Sequence, residues 1–366
     1  MTPRVLLLSA YDAASHRRWR QQLESMVPEY HWQTLTLAPR FFQWRIRGNP
    51  VSWFDEPCLQ QPWDLVIATS MVDLATLRGL NPSLAEVPCL LYMHENQFAF
   101  PVSDQQQGRV EPQMVNLYSA LAADAVVFNS AWNRDSFLEG AGRFLDKMPD
   151  AVPKGLIESL RDKSDVIPVP IEDHLFAESG RAINLDCPHL LWNHRWEYDK
   201  GPDRLLKFLE TLESRQRPYR LSVVGEGFRN YPKVFDRIHS QCAGRIERWG
   251  FLDNRADYDG LLSRADIVLS TALHDFQGLS MLEAMASGCL PLAPDRLAYR
   301  EYVPDCYRYQ SHEQDSDAEA EAAVSCLERM TQSPPLQCQP ELWRASALVG
   351  QYRSVFDELI CRKRGH

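Results

Sequence analysis

ADIVLSTALHDFQGLSMLEAMASGCLP (Ala265–Pro291) is the stretch whose reading decides the fold. The apolar run Ile267–Leu269, bounded by Asp266 and Ser270, has the length of a buried strand. A polar turn follows: His274, Asp275, Phe276, Gln277, Gly278. Leu279, Leu282, Met285 and Ala286 then share one face of an amphipathic helix that Gly288 stops. Strand, tight turn and helix start together make an anion site. The first N–H groups of a helix lack internal partners and carry the positive end of its dipole. Gly278 lets a ligand approach the backbone closely. Asp275 and Glu283, eight positions apart, flank the helix start. Carboxylates beside an anion suit sugar hydroxyls, and phosphate plus hydroxyls describes a nucleotide sugar. The competing reading is structural: Ser280-Met-Leu-Glu283 fits a capping box, in which Glu283 serves only its own helix.

Working outward, short apolar runs recur at Arg4–Ser9, Asp64–Thr69, Cys89–Met93 and Ala125–Phe128, each followed by a polar or helical segment. The helix Arg17–Met26 is one of these. A second series follows a polar linker over 172–187: Leu190–Trp192, Arg220–Val224, Arg245–Trp249 and Asp266–Leu269 read as strands, Pro202–Leu212 and Tyr231–His239 as helices. Val166-Ile-Pro-Val-Pro170 reads as a short strand leaving the first series. Ser311–Ala323 reads as an acidic loop opening a helix, Leu342–Ile360 as a long amphipathic helix, and Cys361–His366 as a basic tail. Such alternation predicts α/β architecture with parallel sheets. The expected domains are 1–172 and 173–345, both doubly wound and Rossmann-like, with a helix over 346–366 packing back on the first. Ligands of such sheets bind beyond the carboxyl ends of the strands. Two such domains place a ligand cleft between them. Ser9, Thr69, Ser70, His94, Asn129 and Ser130 end the early strands, and Ser130 also reads as a helix cap.

The 366 residues suffice for two domains. A net charge of −10 argues against a generic nucleic-acid binder but leaves room for local basic patches. Nine cysteines without a C-x-x-C pair read as reduced thiols of a cytoplasmic protein. No apolar run reaches membrane-spanning length, and the N-terminus does not read as a signal peptide.

His194-Arg-Trp-Glu-Tyr-Asp-Lys-Gly201 follows the first strand of the second series. Arg195 and Lys200 either hold a diphosphate leaving group or pair with Glu197 and Asp199 on a solvated loop. Val223-Val-Gly225-Glu-Gly227 resembles a phosphate turn without the third glycine. The triplets Asp257-Tyr-Asp259 and Asp315-Ser-Asp317 read as chance, so no metal or other cofactor is expected. His94 is a candidate for contact with substrate.

Arg195 with Lys200, Gly225-Glu-Gly227, Trp249-Gly-Phe-Leu252 and Asp275-Phe-Gln-Gly-Leu-Ser-Met-Leu-Glu283 resemble retaining glycosyltransferases of the GT-B fold, nucleotide-sugar family four. Asp275 stands where that family's Glu-x7-Glu motif has its first Glu. Tyr11 through His16, Tyr92-Met-His-Glu-Asn-Gln-Phe98 with Pro101, Phe128-Asn-Ser130 with Phe137, and Val166-Ile-Pro-Val-Pro170 are similar to the tRNA-queuosine α-mannosyltransferase group. Ala13-Ala14 replaces the Gly-Gly usual there. The resemblance implies transfer of mannose from GDP-mannose to queuosine in the anticodon of aspartate tRNA. It implies that Arg195 and Lys200 bind the donor diphosphate and that Glu283 takes the ribose hydroxyls. Asp275 and the backbone of Phe276, Gln277, Gly278 and Leu279 would hold the sugar and phosphates. Gly225 would lie on the donor side and Gly250 and Phe251 near the base. His94 would contact the sugar, and Ser15, His16, Arg17 and Asn96 would border the acceptor.

An RNA acceptor needs basic and aromatic contacts. His16-Arg-Arg-Trp-Arg20 is basic, and Arg40-Phe-Phe-Gln-Trp-Arg45-Ile-Arg47 interleaves arginine with aromatics in what reads as a loop. Two alternatives stay open: a GT-B enzyme with a lipid or glycan acceptor, which that loop also suits, and a non-catalytic tRNA- or nucleotide-binding module on the same fold.

Overall fold

A computed structural model of the chain describes residues 2–100, 110–176, 182–227, 231–332 and 338–364. Pro101, residues 177–181 of the linker and residues 365–366 of the basic tail lie outside the described residues. The chain divides into two units, Met1–Pro170 with Ala345–His366, and Ile171–Arg344.

The first unit is built on one parallel sheet of β1 (Arg4–Ser9), β2 (His31–Thr36), β3 (Leu65–Thr69), β4 (Cys89–Met93), β5 (Ala125–Phe128) and β6 (Ser164–Val166). Their spatial order is β2-β1-β3-β4-β5-β6. β3 and β4 are buried along their whole length. Strands covered on both faces read as continuous apolar runs, which is why LVIAT and CLLYM stand out in the sequence. β2 lies at the edge with alternating, half-exposed residues, and its mixed HWQTLT composition hid it. β6 begins two residues before the predicted strand, because Pro168 and Pro170 cannot donate to a ladder.

Tyr352, on the returning helix Ala345–Arg364, ties this unit together. Its hydroxyl accepts from Trp19 Nε1 at 3.0 Å and reaches the Pro168 carbonyl at 2.9 Å and Tyr92 Oη at 3.1 Å. That helix starts three residues later than the hydropathy pattern suggests, after a short turn over Glu341–Trp343.

The second unit is another parallel sheet: β7 (His189–Trp192), β8 (Arg220–Val224), β9 (Ile246–Gly250), β10 (Ile267–Leu269), β11 (Leu290–Pro294) and β12 (Arg308–Tyr309). The order is β12-β11-β10-β7-β8-β9. β11 carries Pro291 and Pro294 and went unread for that reason.

Both sheets reverse their winding direction once. The reversal lies between β1 and β3 in the first unit and between β7 and β10 in the second. In open α/β sheets the crevice beyond the carboxyl ends at such a point is where ligands sit. Among the described residues no helix is long and apolar enough to cross a membrane.

Candidate active site

In the second unit the loops after β7 and β10 are stitched to each other. Asp199 O accepts from Leu273 N at 2.8 Å and His274 N at 3.1 Å, and Thr271 Oγ1 donates to Lys200 O at 2.9 Å. These bonds carry Lys200 into the reversal point. Its ammonium donates to His274 O at 2.7 Å and stands 3.2 Å from Asp199 and 3.6 Å from Asp275. Lys200 is buried although its sequence neighbours are polar.

Asp275 closes the turn. Its Oδ1 accepts from Gly278 N at 3.0 Å and its Oδ2 from Tyr299 Oη at 3.3 Å. Gly278 is left-handed, with φ 80°, and a Cβ there would run into Tyr302 Oη. It precedes the helix Leu279–Ala286 directly. Burial works against the Asp275 charge, but Lys200, His194, His274 and the Gly278 N–H hold its carboxyl below the ordinary value. Burial pushes His194 and His274 down to about 4, and the Lys200 charge adds to this at both. Both imidazoles are therefore neutral near pH 7.

Glu283 does not cap its helix. Because the helix begins at Leu279, Ser280 lies inside it, so the capping-box reading fails. Glu283 instead takes Arg255 Nη2 at 3.0 Å and Tyr258 Oη at 3.2 Å. Asn193 Nδ2 donates to Tyr258 Oη and to Ser280 O, both at 2.9 Å, which links Glu283 to the end of β7. Arg195 stays half exposed and pairs with Glu197 at 3.0 Å, yet its charge is felt at both His194 and His274. Phe276 and Gln277 are buried in the turn, Leu279 is half-buried, and Phe251 is exposed. At Gly225 a Cβ would collide with the His194 carbonyl, so glycine lets β8 end directly beneath that loop. Gly225 N also donates to Gly250 O at 3.3 Å. The two acidic triplets have structural partners. Asp259 pairs with Arg255 at 2.8 Å, and Asp315 caps the helix Ser316–Met330.

In the first unit the reversal point gathers His16, Ser70, His94 and Glu95. His16 Nδ1 lies 2.8 Å from the Tyr11 carbonyl and Nε2 lies 3.0 Å from Glu95 Oε2. An oxygen acceptor at each nitrogen favours the protonated ring, in which both nitrogens donate. Burial is the largest single influence and opposes this charge, but Glu95, the Tyr11 carbonyl and Asp12 together outweigh it and raise the pKa. Glu95 also accepts from Ser70 Oγ at 2.7 Å. His94 stacks on His16 at 4.2 Å between centroids. Burial, then the His16 charge, holds His94 neutral, and its buried Nε2 has no partner among the described residues. Such an orphan in a buried site calls for an explanation, and a ligand group is one.

The other acceptor-side candidates divide. Asn96 is buried and its amide is taken up by Asn133 at 2.8 Å and Ser136 at 3.0 Å, so it shapes the loop. Arg17 pairs with Asp12, and Ser15 is exposed. Arg40 to Arg47 is not a loop: Phe42–Ser52 is a helix, with Pro50 inside it. Arg47 pairs with Asp73 at 3.1 Å, and Arg45 Nε donates to Ala38 O at 3.2 Å. Ser130 caps the helix Ala131–Leu145, as its sequence context predicts.

Sequence reasoning passed over Glu95, although it sits inside the quoted Tyr92–Gln97 run. It also passed over Arg255 and Tyr258, whose role depends on a partner 25 or more positions away.

Two parallel six-stranded sheets with this site make the protein a glycosyltransferase of the GT-B fold. Sucrose-phosphate synthase from Thermosynechococcus elongatus superposes with a TM-score of 0.72 at 15% identity, covering 99% of this chain and 100% of the other. HepE of Anabaena, in complex with UDP and glucose, gives 0.65 at 14%, covering 97% and 99%. The family model for glycosyl transferases group 1 matches residues 188–329. The model for the tRNA-queuosine alpha-mannosyltransferase N-terminal region matches residues 4–171. A Drosophila melanogaster protein named tRNA-queuosine alpha-mannosyltransferase is 32% identical over 310 residues, 82% of each chain. The chain belongs to the tRNA-queuosine α-mannosyltransferase family.

Proposed function

We propose that this enzyme transfers mannose from GDP-mannose to queuosine in the anticodon of aspartate tRNA, with retention at the sugar, in the cytoplasm. The single observation that carries the donor half is the buried Lys200 ammonium, held beside Asp275 at the head of the helix Leu279–Ala286. Breaking a glycosyl–phosphate bond builds negative charge on the departing diphosphate. A preorganised ammonium and the helix N–H groups meet that charge without reorganising. Arg195 adds a second cation and Glu283 takes the ribose hydroxyls. Arg255 pairs with Glu283 at 3.0 Å, which offsets the charge of a carboxylate near an anion. No metal is required for charge neutralisation in this scheme.

The acceptor half falls to the first unit. Neutral His94 offers Nε2 to a hydroxyl of the reacting sugar, and the His16–Glu95 pair fixes its ring by stacking. Transfer proceeds by same-face attack, with the leaving phosphate oxygen taking the acceptor proton. Trapping a covalent mannosyl-enzyme would rule that route out.

The direct test incubates the protein with GDP-mannose and queuosine-containing aspartate tRNA, followed by mass analysis of the digested nucleosides. Appearance of a hexosylated queuosine is expected. Transfer from UDP-sugars alone, or to a lipid and not to tRNA, would overturn the assignment.

A further inference from the structure

The helix Phe42–Ser52 exposes aromatic surface that no packing need explains. Phe41 is 71% exposed and Trp44 51% exposed. Phe41 occupies the left-handed region at φ 57°, ψ 54°, which side chains other than glycine, Asn or Asp seldom hold. Arg40 places its guanidinium 5.5 Å from the Phe41 ring centre. The Trp44 indole lies flat on Gly48: a Cβ there would stand 2.5 Å from Trp44 Cδ2 and Cε2. Glycine in a helix interior is unfavourable, so its presence under an exposed ring is a second sign that the ring's placement matters.

This helix is bolted to the reversal point of its sheet. Buried Asn49 donates to Met71 O at 3.2 Å and accepts from Asp73 N at 3.2 Å, and Arg47 pairs with Asp73. Met71 follows Ser70, which bonds to Glu95. At the other end Phe42 meets Tyr11 edge-on at 6.3 Å, and the Tyr11 carbonyl holds His16. The exposed rings are thus rigidly indexed to the His16–His94–Glu95 cluster within one unit.

We propose that Phe41 and Trp44 form a stacking platform for unpaired bases of the acceptor tRNA next to the nucleoside being glycosylated. The proposal rests on the tRNA reading above and assigns it a surface. Flat aromatic faces beside guanidinium groups bind single-stranded bases with little sequence demand. Arg40 and Arg45 supply positive charge that a lipid tail would not need, while Arg47 is taken up by Asp73.

The test measures binding of queuosine-containing tRNA by the full-length protein as a function of salt. Trp44→Ala and Phe41→Ala should each raise Kd about tenfold, the size expected for one lost base stack. The slope of log Kd against log salt should not change, since no phosphate contact is removed. Arg40→Ala with Arg45→Ala should make that slope shallower. Trp44→Phe should recover most of the affinity, whereas Trp44→Leu, equally apolar, should not. Unfolding midpoints of all variants serve as the folding control. A Trp44→Ala, Phe41→Ala double variant that is folded and binds within about twofold of the parent overturns the platform. So does a Trp44→Leu variant equal to the parent, or loss of anionic-vesicle binding with tRNA affinity intact. If the parent protein binds tRNA but transfers no sugar, the queuosine reading fails and the platform still stands or falls on these Kd values. If the parent does not bind tRNA at all, both fail.

Discussion

Lys200 Nζ donates to the carbonyl of His274 at 2.7 Å, across a sequence gap of 74 residues. That bond fixes an ammonium, itself only 9% exposed at the side chain, beside the Asp275 carboxylate. It joins two polar loops into one charged cluster at the reversal point of the second sheet.

Removing that ammonium should be costly to catalysis. Lys200→Ala is expected to lower kcat by 10²–10³, corresponding to about 3–4 kcal/mol of lost transition-state stabilisation. Lys200→Arg should rescue little, because a planar fork does not fit a site built around a point charge. Steady-state kinetics with saturating donor checks this. A kcat within about threefold of the parent would remove Lys200 from the mechanism.

Glu283→Gln should act on donor binding first. It removes the charge that Arg255 and Tyr258 hold in place. Losing a charge-assisted hydrogen bond costs about 1.5–3 kcal/mol, so the Kd for GDP should rise by at least tenfold. Calorimetric titration with GDP measures it directly. An unchanged Kd would mean that Glu283 serves only its own unit's packing.

Stability should fall steeply on mild acidification. His194 and His274 have folded values of about 4, below the ordinary 6.5. Between those two values the unfolded chain binds protons that the folded chain does not. The slope is about 1.4 kcal/mol per pH unit for each histidine, with stability lost as pH falls. Asp275 acts in the same direction but only below pH 3.8. Its depressed carboxyl contributes stability that is present above the ordinary 3.8 and lost as pH drops through the folded value. Urea midpoints from pH 7 to pH 4.5 should trace the effect, and a His194→Gln, His274→Gln double variant should make the profile shallower, the remaining slope coming from His94 and His189. An equally steep profile in that variant would place the acid sensitivity elsewhere.

Tyr352→Phe deletes one oxygen that meets Trp19 Nε1, Tyr92 Oη and Pro168 O. Buried groups left without partners cost about 1–3 kcal/mol. The first unit should melt several degrees lower, and the midpoint of the second should not move. Tryptophan fluorescence of a Trp19-sensitive transition would report it.

The sequence was most legible where chemistry and hydropathy coincided. LVIAT, CLLYM and the Asp275–Glu283 run each announce a buried strand or a strand–turn–helix through local pattern alone. It was least legible where proline or an edge position diluted that pattern, as in β11 and β2. The Arg40–Arg47 stretch reads as a loop because interleaved arginines and aromatics show no helical hydrophobic face, yet Phe42–Ser52 is a helix. Burial of Lys200 and the engagement of Glu283 by Arg255 depend on residues brought together by the sheet order, and no local window contains that order. Glu95 was visible but lay between two residues that drew more notice.

The first unit is assembled from both ends of the chain, with Ile171–Arg344 intervening. During synthesis the inserted half can complete its hydrophobic core while the outer half still lacks the Tyr352 helix. A premature stop codon just before residue 345 would leave the whole second unit encoded and yet orphan the indole N–H of Trp19, 333 positions upstream of Tyr352.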